Sequence, residues 1–209
     1  DGMGLDASAC GAVFDGWNQG LLKSYLIEIS AQVSQATDPE TGRPVLDIIL
    51  DRAGQKGTGR WTVIESQMLG SPVPVIEAAV GARNMSAKRD LRIAGAAVFD
   101  VPERAIPTDE LTYGDLEQAL IAGKIMCYAQ GFELLAQAGN NYGWTLPMPE
   151  IAEVWREGCI IRSAMLNDMA TALREDPKRN LVLAPLFQNL VAANLPGLRK
   201  TTLTAQRAH

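Results

Sequence analysis

The chain has 209 residues, of which 47% are hydrophobic and 21% are charged, a composition typical of a globular protein with one sizeable core or at most two small domains. No uninterrupted apolar run approaches the roughly 18 residues that a membrane span needs, so no membrane partner is predicted. The formal net charge of -5 argues against nucleic acid as a partner, because the phosphate backbone attracts clustered Lys and Arg.

Two helices are predicted in the N-terminal part of the chain. Asp6 is a suitable N-cap for a helix over residues 7–17, and apolar residues recur at helical spacing over residues 21–36. A polar turn follows at 37–44. The run VLDIIL at 45–50 is either a short buried strand or a short helix, because periodicity does not distinguish them.

Three shorter helices are predicted after a glycine-rich loop. The loop covers residues 51–60, and the helices cover 61–69, 75–83 and 86–99. Residues 100–111 contain two prolines and are predicted to form a loop.

The strongest helical signal covers residues 112–143. Thr112 with Asp115 resembles a capping box at its start. Two apolar faces run along the segment, which indicates a central helix packed on both sides. One face comprises Leu116, Leu120, Gly123, Cys127 and Leu134, and the other comprises Ile121, Ile125, Tyr128, Phe132 and Leu135.

The remaining chain is also predicted to be helical, over residues 149–158, 159–176, 183–194 and 198–209. The second of these carries an apolar stripe that is interpreted as core packing; it comprises Ile161, Met165, Met169 and Leu173. We therefore predict an all-α fold, a single helical domain over residues 1–209 packed around the long central helix.

Cysteine and histidine usage excludes several kinds of site. Cys10, Cys127 and Cys159 show no C-x-x-C spacing, which indicates reduced and mostly buried thiols in a reducing compartment. The one histidine, His209, is the last residue. Histidine-based acid–base catalysis and His-rich metal sites are therefore nearly excluded within this chain, and no metal ligand is predicted.

The loop DRAGQKGTGRWT at residues 51–62 has the parts of an anion site. Its glycines let backbone N–H groups approach a ligand, it opens a predicted helix whose N-terminus favours negative charge, and Lys56 and Thr58 add a cation and a hydroxyl. It is neither a triphosphate-binding P-loop, because Arg60 and Trp61 stand where Lys and Ser or Thr are needed, nor a dinucleotide fingerprint. The alternative is a tight turn with a solvated Lys56.

Four motifs together carry a family resemblance. SYLIEI, AGQKGTGRWT, YAQGF and GCIIRS occur in this order, and the chain that contains them resembles the C-terminal all-helical domain of decarboxylating 6-phosphogluconate dehydrogenase. The resemblance implies an oxidoreductase that uses NADP to convert 6-phospho-D-gluconate to D-ribulose 5-phosphate and CO2, in gluconate utilisation and the pentose phosphate pathway. It also implies a cytoplasmic homodimer in which this domain supplies the dimer interface.

The resemblance implies the site residues as well. Lys56 matches the loop lysine that contacts the substrate phosphate, Thr58 matches a neighbouring phosphate contact, and Arg83 matches the arginine that binds the same phosphate. A phosphate dianion favours such charge-assisted bonds, and the planar fork of arginine supplies two at once.

Other parts of the family's site have no counterpart here. The catalytic lysine and glutamate of the family correspond to positions upstream of Asp1, as does its dinucleotide-binding domain, and its C-terminal tail lies beyond His209. We therefore expect a fragment with no catalytic and no cofactor-binding residue, inactive alone, whose NADP is bound mainly by the missing domain. His209 does not match the histidine of that tail.

Two other functions are kept open. One is a non-catalytic dimerisation or small-anion-binding helical module, and the other is a related β-hydroxyacid dehydrogenase with a different substrate.

Among the remaining side chains, Arg162 is interpreted as a buried arginine paired with a carboxylate rather than as a site residue. The tryptophans Trp61, Trp144 and Trp155 are interpreted as core or interface anchors.

Overall fold

The structure is a computed structural model that describes residues 2–99 and 105–208. Every regular element in these residues is helical, and the only β-pairing among them is two isolated bridges. The prediction of an all-α fold with a long central helix is therefore confirmed. His209 and residues 100–104 of the predicted loop lie outside the described part of the chain.

The α-helices are α1 (Ala7–Trp17), α2 (Tyr25–Gln35), α3 (Val45–Ile48), α4 (Thr58–Leu69), α5 (Pro74–Ser86), α6 (Arg89–Ala96), α7 (Tyr113–Tyr142), α8 (Met148–Trp155), α9 (Met165–Glu175) and α10 (Pro185–Arg207), with a 3-10 turn at Leu181–Leu183. The ambiguous run at 45–50 thus contains a short helix and no strand.

The helices fall into two compact units. The larger comprises Asp1–Ile49, Glu103–Ala122 and Pro147–His209, and the smaller comprises Leu50–Pro102 and Gly123–Leu146. Helix α7 contributes its first ten residues to the larger unit and the rest to the smaller. Whether the chain is one domain stays a prediction.

The larger unit has a core of large apolar side chains. Leu22, Leu166, Met169 and Phe187 are almost completely buried. Asp6 accepts a hydrogen bond from the backbone N–H of Ala9 at 2.7 Å, which is the predicted cap of α1. On the predicted methionine stripe Met165, Met169 and Leu173 are buried, whereas Ile161 is 38% exposed.

A pairing between distant segments shortens two predicted helices of the larger unit. Ser24 and Ser163 form an antiparallel bridge, in which the N–H of Tyr25 donates to the Arg162 carbonyl at 3.1 Å and that of Ala164 donates to the Lys23 carbonyl at 3.0 Å. Because this bridge holds the backbone extended, α2 begins at Tyr25 instead of residue 21, and α9 begins at Met165 instead of residue 159.

The last helix is longer than its sequence indicates. Helix α10 continues through Pro196, where the two stretches predicted over 183–194 and 198–209 are interrupted. The proline removes one helical hydrogen bond. Gly197 lies so close to the N-terminal part of α7 that a Cβ there would be 2.5 Å from Cβ of Gln118. Packing between α7 and α10 therefore outweighs the local signal to break the helix.

The start of α7 is capped as predicted. The N–H and the hydroxyl of Thr112 donate to Oδ2 of Asp115 at 2.8 and 2.7 Å, and the N–H of Asp115 donates to the Thr112 hydroxyl at 3.0 Å. Nζ of Lys200 on α10 also donates to this carboxylate, at 2.7 Å. These bonds and the Lys200 cation lower the pKa of Asp115 to about 2.

Along α7 the two predicted apolar faces are buried unequally. Ile121, Ile125 and Phe132 of the second face are buried, as is Leu134 of the first, but Leu120 of the first face is 44% exposed. By length and composition this helix is the one among the described residues that is apolar enough to cross a membrane. Core helices of water-soluble proteins share that composition.

In the smaller unit α4 packs on α5, and Val73, just before α5, is completely buried. Two of the predicted tryptophan anchors are not core residues, since Trp61 is 63% and Trp144 is 58% exposed; Trp155, in the larger unit, is half-buried. That the tryptophans are interface anchors stays a prediction.

The thiols of Cys10, Cys127 and Cys159 are free as predicted. They are half-buried, however, and not mostly buried.

Candidate functional site

The glycine-rich loop leads directly into a helix. Residues 50–57 form no regular secondary structure, and α4 begins at Thr58 with Gly57 as its N-cap residue. Gly57 has φ 107° and ψ -39° and offers no side-chain cap. The first backbone N–H groups of a helix have no intrahelical partner and carry a partial positive charge. The end of the loop therefore presents backbone donors to whatever lies before α4.

Two of the three predicted site residues lie at this helix start. The side chains of Lys56 and Thr58 are exposed. The ammonium group of Lys56 forms no ion pair or hydrogen bond with any residue that the structure describes, and neither does the hydroxyl of Thr58. Both side chains are therefore available to a ligand in front of α4.

The third predicted site residue reaches the same loop from another helix. Arg83 lies on the last turn of α5, and its Nη2 donates a hydrogen bond to the Gly54 carbonyl, two residues before Lys56. A guanidinium has five N–H donors, and this bond uses one of them. Arg83 is otherwise exposed. The fold thus brings the predicted arginine to the loop that carries the predicted lysine.

Further side chains near Arg83 hold the loop, and the sequence analysis missed them. The N–H of Ala53 donates to Oγ of Ser86 at 2.9 Å, and the side-chain amide of Gln55 donates to Oδ1 of Asn84. The guanidinium of Arg92 on α6 donates to Oδ2 of Asp51 at 2.8 Å. This ion pair and its hydrogen bond lower the pKa of the Asp51 carboxyl.

A charge signal in the sequence could have found this region. The segments 51–60 and 83–92 contain seven of the 19 Lys and Arg residues of the chain but only two carboxylates, Asp51 and Asp90. Since the whole chain has a net charge of -5, this concentration of cations is local. It favours an anionic ligand at the loop.

Arg162, which was predicted to be buried and paired, belongs to the larger unit. Its Nη2 donates to Oε2 of Glu28 at 3.0 Å, and its guanidinium lies 5.3 Å from the ring centroid of Tyr25. The predicted carboxylate partner is therefore present. The prediction that Arg162 is buried was wrong, because 40% of its side chain is exposed.

Among the described residues no group of three or more His, Cys, Asp or Glu side chains is arranged to hold a metal ion. The same residues contain no βαβ unit, so they do not form the kind of cradle that binds a dinucleotide in Rossmann-like folds. The chemistry that the loop region offers is the binding of an anion by cations, a hydroxyl and backbone N–H groups.

Comparisons with known proteins agree on one family. Residues 1–209 match the family described as 6-phosphogluconate dehydrogenase, C-terminal domain. The chain is 45% identical over 197 residues to 6-phosphogluconate dehydrogenase, decarboxylating 2, of Saccharomyces cerevisiae, which covers 92% of the chain and 40% of that protein. It is 41% identical over 201 residues to the NADP(+)-dependent decarboxylating enzyme of Bacillus subtilis, which covers 95% of the chain and 43% of that protein.

A second Bacillus subtilis relative, the NAD(+)-dependent decarboxylating enzyme, is 42% identical over 192 residues, covering 90% of the chain and 41% of that protein. Among solved structures, Plasmodium falciparum 6-phosphogluconate dehydrogenase superposes with a TM-score of 0.89 at 37% identity, covering 98% of this chain and 44% of that one. That enzyme has been solved in its apo form, with NADP+ and with 6-phosphogluconate. The chain spans about two fifths of the length of these relatives.

Proposed function

Since the chain belongs to the family of 6-phosphogluconate dehydrogenase C-terminal domains, we propose that it is the helical part of an enzyme that oxidatively decarboxylates 6-phospho-D-gluconate to D-ribulose 5-phosphate and CO2. The enzyme is NADP-dependent and works in the pentose phosphate pathway in the cytoplasm. We propose that the hydride acceptor is bound mainly by a part of the enzyme outside this chain, as the family resemblance implies.

The role of this chain in the proposed enzyme is to hold the phosphate end of the substrate. The observation that carries this role is the hydrogen bond from Arg83 to the Gly54 carbonyl, which brings the arginine to the loop of Lys56. Lys56 and Arg83 would neutralise the phosphate dianion with charge-assisted bonds. Thr58 and the backbone N–H groups at the start of α4 would complete the set of donors.

Binding at the phosphate end serves the reaction at a distance. Contacts to a remote, non-reacting part of a substrate fix its position, so that the reacting carbon is held in place for hydride transfer. The proposed residues thus act by positioning and need no catalytic group within the chain.

We propose in addition that the enzyme is a homodimer. Exposed apolar side chains on α4, such as Ile64 at 53% and Met68 at 77%, support a further protein contact.

The test is the affinity of the full-length gene product for 6-phosphogluconate, measured by calorimetry. Lys56→Ala and Arg83→Ala should each raise the Kd about tenfold or more, the usual effect of losing a hydrogen bond to a charged group. Gluconate, which lacks the phosphate, should bind equally to all variants. Lys178→Ala, which removes an exposed lysine of the larger unit, is the matched control.

Unchanged affinity in both site variants would refute the site. Anion binding that depends on Lys56 but does not distinguish 6-phosphogluconate from inorganic phosphate, in a protein without dehydrogenase activity, would favour the small-anion-binding module instead.

A further inference from the structure

The loop that carries Lys56 has little structure of its own. Residues 50–57 form no helix or strand, and the backbone bond within them joins the N–H of Arg52 to the Leu50 carbonyl at 2.7 Å. Two of these eight residues are glycines, which lose the most conformational freedom when they are ordered. Whatever holds this loop in one conformation must therefore come from outside it.

Arg92 supplies the largest share of that restraint. Its Nη1 donates to Oδ2 of Asp51 at 2.8 Å, and its Nη2 donates to the Asp51 carbonyl at 2.8 Å and to the Ser86 carbonyl at 3.2 Å. One guanidinium thus bonds both the side chain and the backbone of Asp51, 41 positions away in the sequence. The same guanidinium also bonds Ser86, the last residue of α5.

Ser86 completes the connection from the other side. While its carbonyl accepts from Arg92, its hydroxyl accepts the N–H of Ala53 at 2.9 Å. The loop segment from Asp51 to Ala53 is therefore held at three of its polar groups by Ser86 and Arg92. We call the set Asp51, Ser86 and Arg92 the clasp.

The clasp differs from the residues proposed to bind phosphate. Both Nη atoms of Arg92 are bonded within the protein, its Nε is buried, and its side chain is 32% exposed. Arg83 has one bond and is exposed. Arg92 is therefore not free to bind a ligand, whereas Arg83, nine residues earlier in the sequence, is.

The ion pair between Asp51 and Arg92 should contribute little to the free energy of unfolding. The Asp51 side chain is 71% exposed, and exposed ion pairs contribute little to the stability of a protein. A bond to a loop has a larger effect on binding, because a loop that is already ordered does not lose conformational entropy when the ligand arrives.

We propose that the clasp of Asp51, Ser86 and Arg92 is a positioning device that holds the loop in the conformation in which Lys56 and Arg83 bind the substrate phosphate together. The inference rests on the function proposed above. Arg92 and Asp51 act through the loop and do not touch the substrate.

The experiment separates geometry from charge. Arg92→Lys keeps the cation but replaces the planar, two-nitrogen fork that bonds Asp51 and Ser86 with a single ammonium nitrogen. Asp51→Ala removes a negative charge next to an anion site. In the full-length gene product both variants should raise the Kd for 6-phosphogluconate about tenfold, as substitutions that loosen a supporting contact do. If only the local field mattered, Arg92→Lys would leave the Kd unchanged and Asp51→Ala would lower it, and either result would overturn the clasp.

Two further measurements exclude a merely structural effect. Affinity for gluconate should change by less than about twofold in every clasp variant, since the phosphate end alone is affected. In a Lys56→Ala background, Arg92→Lys should add less than about twofold, because residues that act through one another are non-additive. Ser86→Ala, which removes only the hydroxyl, should show the same pattern and replaces the other variants if these fail to fold.

A failure of the clasp is distinguishable from a failure of the proposed function. If Lys56→Ala weakens 6-phosphogluconate binding and the clasp variants do not, the phosphate site stands and the clasp falls. If Lys56→Ala has no effect, the site itself is wrong. Arg174→Met, which breaks the ion pair between Arg174 and Glu153 in the larger unit, is the control for the loss of an ion pair elsewhere and should leave the Kd unchanged.

Discussion

Gly57 shows how one residue determines the geometry of the proposed site. At φ 107° its backbone lies in a region that L-residues with side chains rarely adopt. The residue is buried, and a Cβ there would lie 3.5 Å from the indole ring of Trp61. The glycine thus allows the chain to turn from the loop into α4 directly after Lys56. Thr58 follows as the first residue of the helix.

We expect Gly57→Ala to destabilise the protein by about 1–2 kcal/mol, the cost of placing a side chain in a left-handed conformation. The measurement is urea denaturation. Gly54→Ala in the same loop is the matched control, since Gly54 lies outside the left-handed range and has no neighbour within 4 Å of an added Cβ. Equal stability of the two variants would show that the conformation of Gly57 is not required.

At the scale of elements, contacts between helices override local signals. Helix α10 contains Pro196 and yet runs without a break from Pro185 to Arg207. The residue after the proline, Gly197, faces the first turn of α7, where a Cβ would be 2.8 Å from the Asp115 carbonyl oxygen. The close approach of the two helices therefore requires a glycine at a position where local propensity alone favours alanine.

Gly197→Ala should accordingly destabilise the protein by about 1–3 kcal/mol through overpacking, despite the better helix propensity of alanine. Gly131→Ala, in the interior of α7 with nothing within 4 Å of an added Cβ, should instead be neutral or stabilise by up to about 1 kcal/mol. Thermal denaturation of the two variants compares them directly. The packing argument fails if Gly197→Ala raises the melting temperature as Gly131→Ala does.

At the scale of the whole molecule, ion pairs connect segments that are far apart in the chain. Arg162 bonds Glu28 across 134 positions, and Lys200 bonds Asp115 across 85. The second pair includes a carboxylate that also caps α7, and the pKa of Asp115 is lowered to about 2 by Lys200 and Thr112. A lowered pKa in the folded state means that the ionised form stabilises the fold.

The stability that Asp115 contributes should be fully present above its unfolded pKa, which has the ordinary value of 3.8, and should be lost as the pH falls towards 2. Asp115→Asn should therefore be less stable than the wild type at pH 5, and the difference should shrink between pH 4 and pH 2. Urea denaturation across this range measures it, with Lys200→Met as the second variant. A difference that stays constant down to pH 2 would contradict the assignment.

The class of the fold, the family and the position of the loop could all be predicted from local sequence. Helical periodicity and caps such as Asp6 and Thr112 depend on neighbouring residues, so they predicted most helices correctly. The motif order around GQKGTG identified the family, which the comparisons confirmed. Lys56 and Thr58 lie two positions apart in one short motif, so local reasoning was sufficient to select them. Their role, like that of Arg83, stays a prediction.

Features that depend on contacts between distant segments became visible in the folded chain and could not be predicted from local patterns. The bridge of Ser24 with Ser163 set where α2 and α9 begin, and packing at Gly197 kept α10 continuous. The contact of Arg83 with Gly54 spans 29 positions, and that of Arg92 with Asp51 spans 41. Periodicity reports only which face of an element is apolar, so it contains no information about which loop a given arginine will reach.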